Sequence, residues 1–178
     1  MPDTAIALVM NNGTPYRIQL CLEPERQHTQ SFLKDQIVNA MEAMSGQSRW
    51  QRFASPVDKL SDSQLDYLTD LDGKERVAWC ASVMTNKGER GIGLSRYMKL
   101  PEEEGVAEFA IAVVDEYQAQ GIGYQLLKRL AGTAAENDLK ILRGYILSGN
   151  RGMLVLCRRF AAHISVEGGG ILRADIPL

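Results

Sequence analysis

A chain of 178 residues, 45% apolar and 24% charged, suits one domain with its own core. Its formal net charge of -2 offers nothing to nucleic acid or to an anionic membrane. Three widely spaced cysteines and two histidines form neither a zinc pattern nor a CxxC pair, so no metal is expected, and reduced thiols in a cytoplasmic protein are.

The start, MPDTAIALVM, has no basic segment before its apolar run, which argues against a secretory leader. No apolar run approaches the ~20 residues of a membrane span. Residues 1–13 read as a tail or edge strand ended by NNGTP, and residues 14–178 as the domain proper. YRIQLCL alternates as a strand does. In HTQSFLKDQIVNAMEAMSG, Phe32, Leu33, Gln36, Ile37, Ala40, Met41 and Met44 fall at helical spacing, with Gly46 as a stop. SRWQRF follows, with Trp50 and Phe53 expected in the core. LSDSQLDYLTDLDG predicts a short helix capped by Ser61 or Ser63.

Two strands then flank a turn at Asn86, Lys87 and Gly88. VAEFAIAVVD is an apolar run of the kind covered on both faces. An amphipathic helix after Gly121, the strand LKILRGYILSG, the helix NRGMLVLCRRFAA and a last hairpin around GGG complete the chain. This order predicts an α/β fold: a mixed, mostly antiparallel sheet with helices on both faces. The basic pairs Lys128-Arg129 and Arg158-Arg159 read as solvated helix faces.

The most telling stretch is VVDEYQAQGIGYQLLKRL. A strand runs through two glycines into the first turn of a helix, where unpaired backbone N–H groups and the helix dipole favour a phosphate. Glycine leaves the backbone open to it. A P-loop would need Lys-Ser or Lys-Thr where Tyr124-Gln125 stand. A dinucleotide fingerprint would need a third glycine where Leu126 stands. A pyrophosphate of another kind remains.

Gln118-Ala119-Gln120-Gly121-Ile122-Gly123 matches a Q/R-x-x-G-x-G/A signature, and Asn150-Arg151-Gly152-Met153-Leu154 looks like an N-x-x-M/A segment after a strand. On these residues the chain resembles the GNAT superfamily of N-acetyltransferases. SRWQRF, AEFAIAVVD and NRGML are further similar to bacterial protein lysine acetyltransferases that modify acyl-CoA synthetases, over roughly residues 14–163. The resemblance implies a single GNAT-like domain with acetyl-CoA as cosubstrate. It also implies a cofactor site made of Ile111, Ala112 and Val113 on the strand, Gln118 to Tyr124 on the turn (Gln118, Ala119, Gln120, Gly121, Ile122, Gly123, Tyr124), and Asn150 and Met153 on the next helix. The chain departs from the pattern at Cys157, where a tyrosine is usual, at Ala161-Ala162, where Gly-Phe is usual, and at Gln120, where a basic residue is common.

Acetyl transfer to a lysine amine costs about 4–5 kcal/mol for deprotonation at neutral pH. A base in reach would take that proton, and a donor would stabilise the developing thioester oxyanion. The resemblance assigns the base to Glu108, at the start of an apolar strand whose dryness would raise its pKa, and the donor to a backbone N–H near Val113. Tyr117 and Tyr124 read as packing residues. His28 reads as a surface or capping residue, and His163 as a strand start. Arg49 and Arg52 are candidates for an acceptor groove. Cys157, on an apolar helix face, reads as a packed, protonated thiol. The expected acceptor is a protein lysine or a small amine, with a non-catalytic acyl-CoA-binding domain as the other reading. Neither nucleic acid nor membrane is an expected partner, and a homodimer is left open.

Overall fold

The computed structural model describes residues 5–21, 26–53 and 58–178. Eight strands form one sheet in the order β1-β2-β3-β4-β5-β6-β8-β7. They are β1 Ile6–Val9, β2 Pro15–Leu20, β3 Arg76–Thr85, β4 Gly88–Lys99, β5 Val106–Val113, β6 Ile141–Leu147, β7 His163–Gly168 and β8 Ile171–Pro177. Every pairing is antiparallel except β5 with β6. The last hairpin forms as the glycines predict, but β8 inserts between β6 and β7.

The helices are α1 Arg26–Ala43, α2 Gly46–Phe53, α3 Asp62–Thr69, α4 Ile122–Glu136 and α5 Arg151–Arg158. Strand alternation sorts the sheet residues between two cores. Tyr97, Ala107 and Phe109 join Ile122, Leu126, Leu127 and Leu130 of α4, together with Leu154 and Cys157 of α5, in the larger core. On the other face Ala78 packs with Leu33, Ile37 and Met41 of α1, Met44 just after it, and Leu65 and Leu68 of α3, while Cys80, Leu94 and Ala112 lie against them. Burial of these stripes supplies most of the helices' stability.

Ser61 caps α3, and Gln64 reaches back to complete a capping box. SRWQRF forms most of α2, and there Trp50 is exposed, contrary to the core position expected of it. A helix of only two turns has one face on the protein, and that face carries Ser48. Phe53 is half-buried against the smaller core. The side chains of His28 and Phe32, both within α1, lie outside the described set.

Two of the thiols are not reduced. Cys21 and Cys80, 59 residues apart, are joined by a disulfide, which ties the end of β2 to β3 beneath α1. No spacing motif marks this pair, because strand pairing alone brings the two together. Cys157 is free and fully buried.

Candidate active site

The site is a fork in the sheet. β5 and β6 pair in parallel through Val106↔Ile141, Ala107↔Leu142 and Glu108↔Arg143, and the pairing ends there. The wedge is Phe109, whose ring lies where a side chain on Gly144 would otherwise stand. Beyond it β5 continues on β4 alone, as far as Val113. The apolar run packs on both faces, Ile111 and Val113 against the larger core and Ala112 against the smaller, but Ala110 to Val113 are only half-buried, because their free edge lines an opening.

The Val114 N–H donates to Ile92 O of β4. By strand alternation the N–H groups of Ile111 and Val113 point the other way, toward the opening. The Val113 carbonyl already accepts from Gln118 Nε2 at 3.0 Å.

The chain leaves β5 through a short 3-10 turn at Asp115–Tyr117 and reaches α4 by way of Ala119 (φ 58°) and Gly121 (φ 86°). Gly121 is the N-cap and has no side chain to satisfy the helix start, so the N–H groups of Ile122, Gly123 and Tyr124 have no carbonyl one turn earlier. Two neighbouring segments hold the loop. Asn11 Nδ2 donates to Ala119 O at 3.1 Å, and the Asn12 N–H donates to Gln120 Oε1 at 3.1 Å. The turn after β1 thus clamps the glycine loop, a link that nothing in the first 13 residues announces.

On the other side Asp115 accepts from Ser45 Oγ at 2.7 Å and Ser48 Oγ at 2.8 Å, and Gln118 Nε2 donates to Ser48 Oγ at 3.2 Å. The carboxylate sits at the start of α2, where the helix dipole favours it. Partial burial works to raise its pKa, but the hydrogen bonds from Ser45 and Ser48 hold it below the usual carboxylate range.

These elements enclose a cleft of about 730 Å³. Ten of the residues expected to bind a cofactor line it: Ile111, Ala112, Val113, Gln118, Ala119, Gly121, Gly123, Tyr124, Asn150 and Met153. The other two do not bring their side chains to it. Ile122 is buried in the larger core, as its place on the inner face of α4 requires, and Gln120 turns to Asn12.

Asn150 caps α5 by accepting from the Met153 N–H at 3.1 Å, which leaves its Nδ2 as its donor toward the cleft. Tyr124 packs on Phe160 with ring centroids 5.2 Å apart. Arg159, read from the sequence as a solvated helix residue, also lines the cleft, with its guanidinium 4.7 Å from the Tyr124 ring centroid. An aromatic one turn into α4 and an arginine at the end of α5 were its faint signal. Cys157 faces the core instead, and burial pushes its thiol up to about 11.

Glu108 stands at the fork and is exposed, not in the dry setting expected of it, because the strands part beside it. It borders both the large cleft and a second cavity of about 250 Å³. Arg52 and Phe53 of α2 and Phe109 and Ala110 of β5 also border both, so the two spaces meet at Glu108. Arg49 takes no part in that wall: it donates to the Met41 and Met44 carbonyls and pairs with Asp58 at 3.6 Å. His163 is exposed on β7. Among the described residues no group of three or more His, Cys, Asp or Glu is placed to hold a metal, and no helix is long and apolar enough to cross a membrane.

Residues 41–160 match the model of the acetyltransferase (GNAT) family. The chain is 28% identical over 148 residues to acetyltransferase PA5475 of Pseudomonas aeruginosa, covering 83% of this chain and 75% of that one. It is 27% identical over 144 residues to acetyltransferase Pat of Mycolicibacterium smegmatis, covering 80% of this chain but only 42% of that longer protein. Among solved structures, the GNAT domain of S. lividans PAT superposes with a TM-score of 0.82 at 22% identity, covering 98% of this chain and 97% of that domain.

Proposed function

The chain belongs to the acetyltransferase (GNAT) family, and from that premise we propose that it transfers an acetyl group from acetyl-CoA to the side-chain amine of a protein lysine. The observation that carries this reading is the meeting of two spaces at one carboxylate. A cleft opened by a strand fork runs from the glycine loop to Glu108, and a separate cavity reaches Glu108 from the other side.

In this reading the N–H groups at the start of α4 receive the pyrophosphate, with Gly121 and Gly123 keeping side chains out of its way. Asn150 and Met153 border the pantetheine arm. An N–H of β5 that faces the opening, at Val113 or Ile111, donates to the thioester oxygen as negative charge develops there. Glu108 takes the proton from the attacking amine, directly or through water, and its exposure keeps a water route open. The thiolate of coenzyme A resembles a cysteine thiolate, with a reference pKa near 8.5, and leaves without help from Cys157. The protein-lysine acceptor is supported by the likeness to proteins named Pat and to the sequence pattern of the lysine acetyltransferases. A cytoplasmic location would suit that substrate, although the Cys21–Cys80 disulfide is not typical of a reducing compartment.

The test is to incubate a lysate with acetyl-CoA, with and without the protein, and map acetyl-lysine by mass spectrometry. New acetyl-lysine sites that depend on Glu108 are expected. Transfer to small amines alone would replace the acceptor. Tight acetyl-CoA binding with no transfer to any amine would favour an acyl-CoA-binding regulatory domain.

A further inference from the structure

The acceptor cavity contains a charge arrangement that transfer to a plain alkylamine does not use. Arg96 of β4 pairs with Ala110, two residues along from the Met98↔Glu108 pair, so Arg96 and Glu108 lie on one face of the sheet as diagonal neighbours. Arg96 is only 6% exposed, and its Nη2 has no hydrogen-bond partner. One face of its guanidinium lies 4.9 Å from the ring centroid of Tyr67. Such a stack fixes the plane of the fork and leaves Nη2 free to donate. Arg52, from α2, borders the same cavity.

Among the described residues neither guanidinium forms an ion pair with Glu108 or with any other carboxylate. A buried cation beside a half-buried one, with Glu108 near both but paired to neither, is costly. The same strain appears in Arg52, whose pKa is drawn down to about 10 by burial and then by the charge of Arg96. In Arg96, too, burial outweighs the opposing pull of Tyr67 and Glu108.

We propose that Arg96, assisted by Arg52, is a carboxylate-binding subsite beside Glu108, and that the preferred acceptor is an amine bearing a carboxylate a few bonds or one residue away. The proposal rests on the reading above that the acceptor enters over Glu108. A planar fork held by a stack matches a carboxylate in bidentate fashion. Binding it would satisfy Nη2, offset the paired cations and orient the amine toward the base. Two sources supply that chemistry: the carboxylate of a small amino acid, or an aspartate or glutamate next to the acceptor lysine in a protein.

The experiment measures kcat/KM with acetyl-CoA for matched acceptors. One arm uses lysine peptides with glutamate or glutamine beside the lysine. The other uses small amino acids and their carboxamides. In the parent, acid acceptors should exceed their amides by roughly 10- to 100-fold in one arm, the scale of a hydrogen bond to a charged group, and that arm names the source. In Arg96→Gln the preference should fall to within about 3-fold through KM, and Arg96→Lys should restore part of it, whereas a merely structural arginine would change acid and amide alike. Acetyl-CoA affinity, set in the other cleft, reports that each variant is folded. The parent's own acid-to-amide ratio decides the matter even if Arg96→Gln does not fold. Equal turnover of acids and amides overturns the subsite and leaves the amine-transfer reading intact. Binding of acetyl-CoA with no amine acetylated overturns that reading, and the subsite with it.

Discussion

The ring of Phe109 lies so close to Gly144 that a Cβ on residue 144 would stand 2.8 Å from both Cε1 and Cζ. Phe109 is buried, so its ring has little room to withdraw. Gly144→Ala should therefore destabilise the fold by about 1–3 kcal/mol, the usual cost of overpacking. It should also weaken acetyl-CoA binding, because the ring forms the apex of the fork. Chemical denaturation and calorimetry together check both parts; an unchanged midpoint with unchanged affinity would show that the wedge is slack.

Glu108→Gln preserves shape and removes the proton acceptor. The turnover number should drop roughly 10²- to 10⁴-fold, while acetyl-CoA affinity moves only a few-fold. Pre-steady-state rates with a saturating amine test this. Turnover within a few-fold of the parent would move the base elsewhere or to bulk water.

Gly121 is exposed at the start of α4 with a φ of 86°. A glutamate there adds strain, bulk and negative charge beside the expected pyrophosphate. Gly121→Glu should abolish measurable acetyl-CoA binding in calorimetry. Retained affinity in a folded variant is the contrary result.

Cys157 is buried on the inner face of α5, its thiol displaced upward by desolvation and thus protonated at neutral pH. Cys157→Ala should keep most of the turnover, and a thiol reagent should label the native protein slowly. An acetyl group trapped on Cys157, seen by mass spectrometry of the intact chain, would overturn this assignment.

Asp115 joins α2 to the glycine loop through Ser45 and Ser48. Its folded pKa is held below the ordinary value near 3.9. A carboxylate lowered in this way stabilises the fold above its unfolded pKa and loses that contribution as pH falls through its folded pKa. The stability gap between the parent and Asp115→Asn should therefore be constant near neutrality and shrink below about pH 4. Urea titrations at several pH values measure it, and a gap that widens in acid would refute the sign.

By itself the sequence determined what depends on neighbours a few residues apart. Helical spacing marked Leu33, Ile37, Met41 and Met44 as one buried stripe. Ser61 or Ser63 marked a helix start, and the step from an apolar strand through Gly121 to α4 marked an anion site, because these preferences arise within a turn or two of chain. Tertiary structure alone decided the rest. Asn11 meets Ala119 across 108 positions, Cys21 meets Cys80 across 59, and Arg52, Arg96 and Glu108 converge from one helix and two strands. Such contacts are set by strand order and register, in which a one-residue shift would turn each side chain to the opposite face. Trp50 shows the same dependence in reverse: its type suggested the core, but a two-turn helix whose protein-facing side was already occupied left it in solvent.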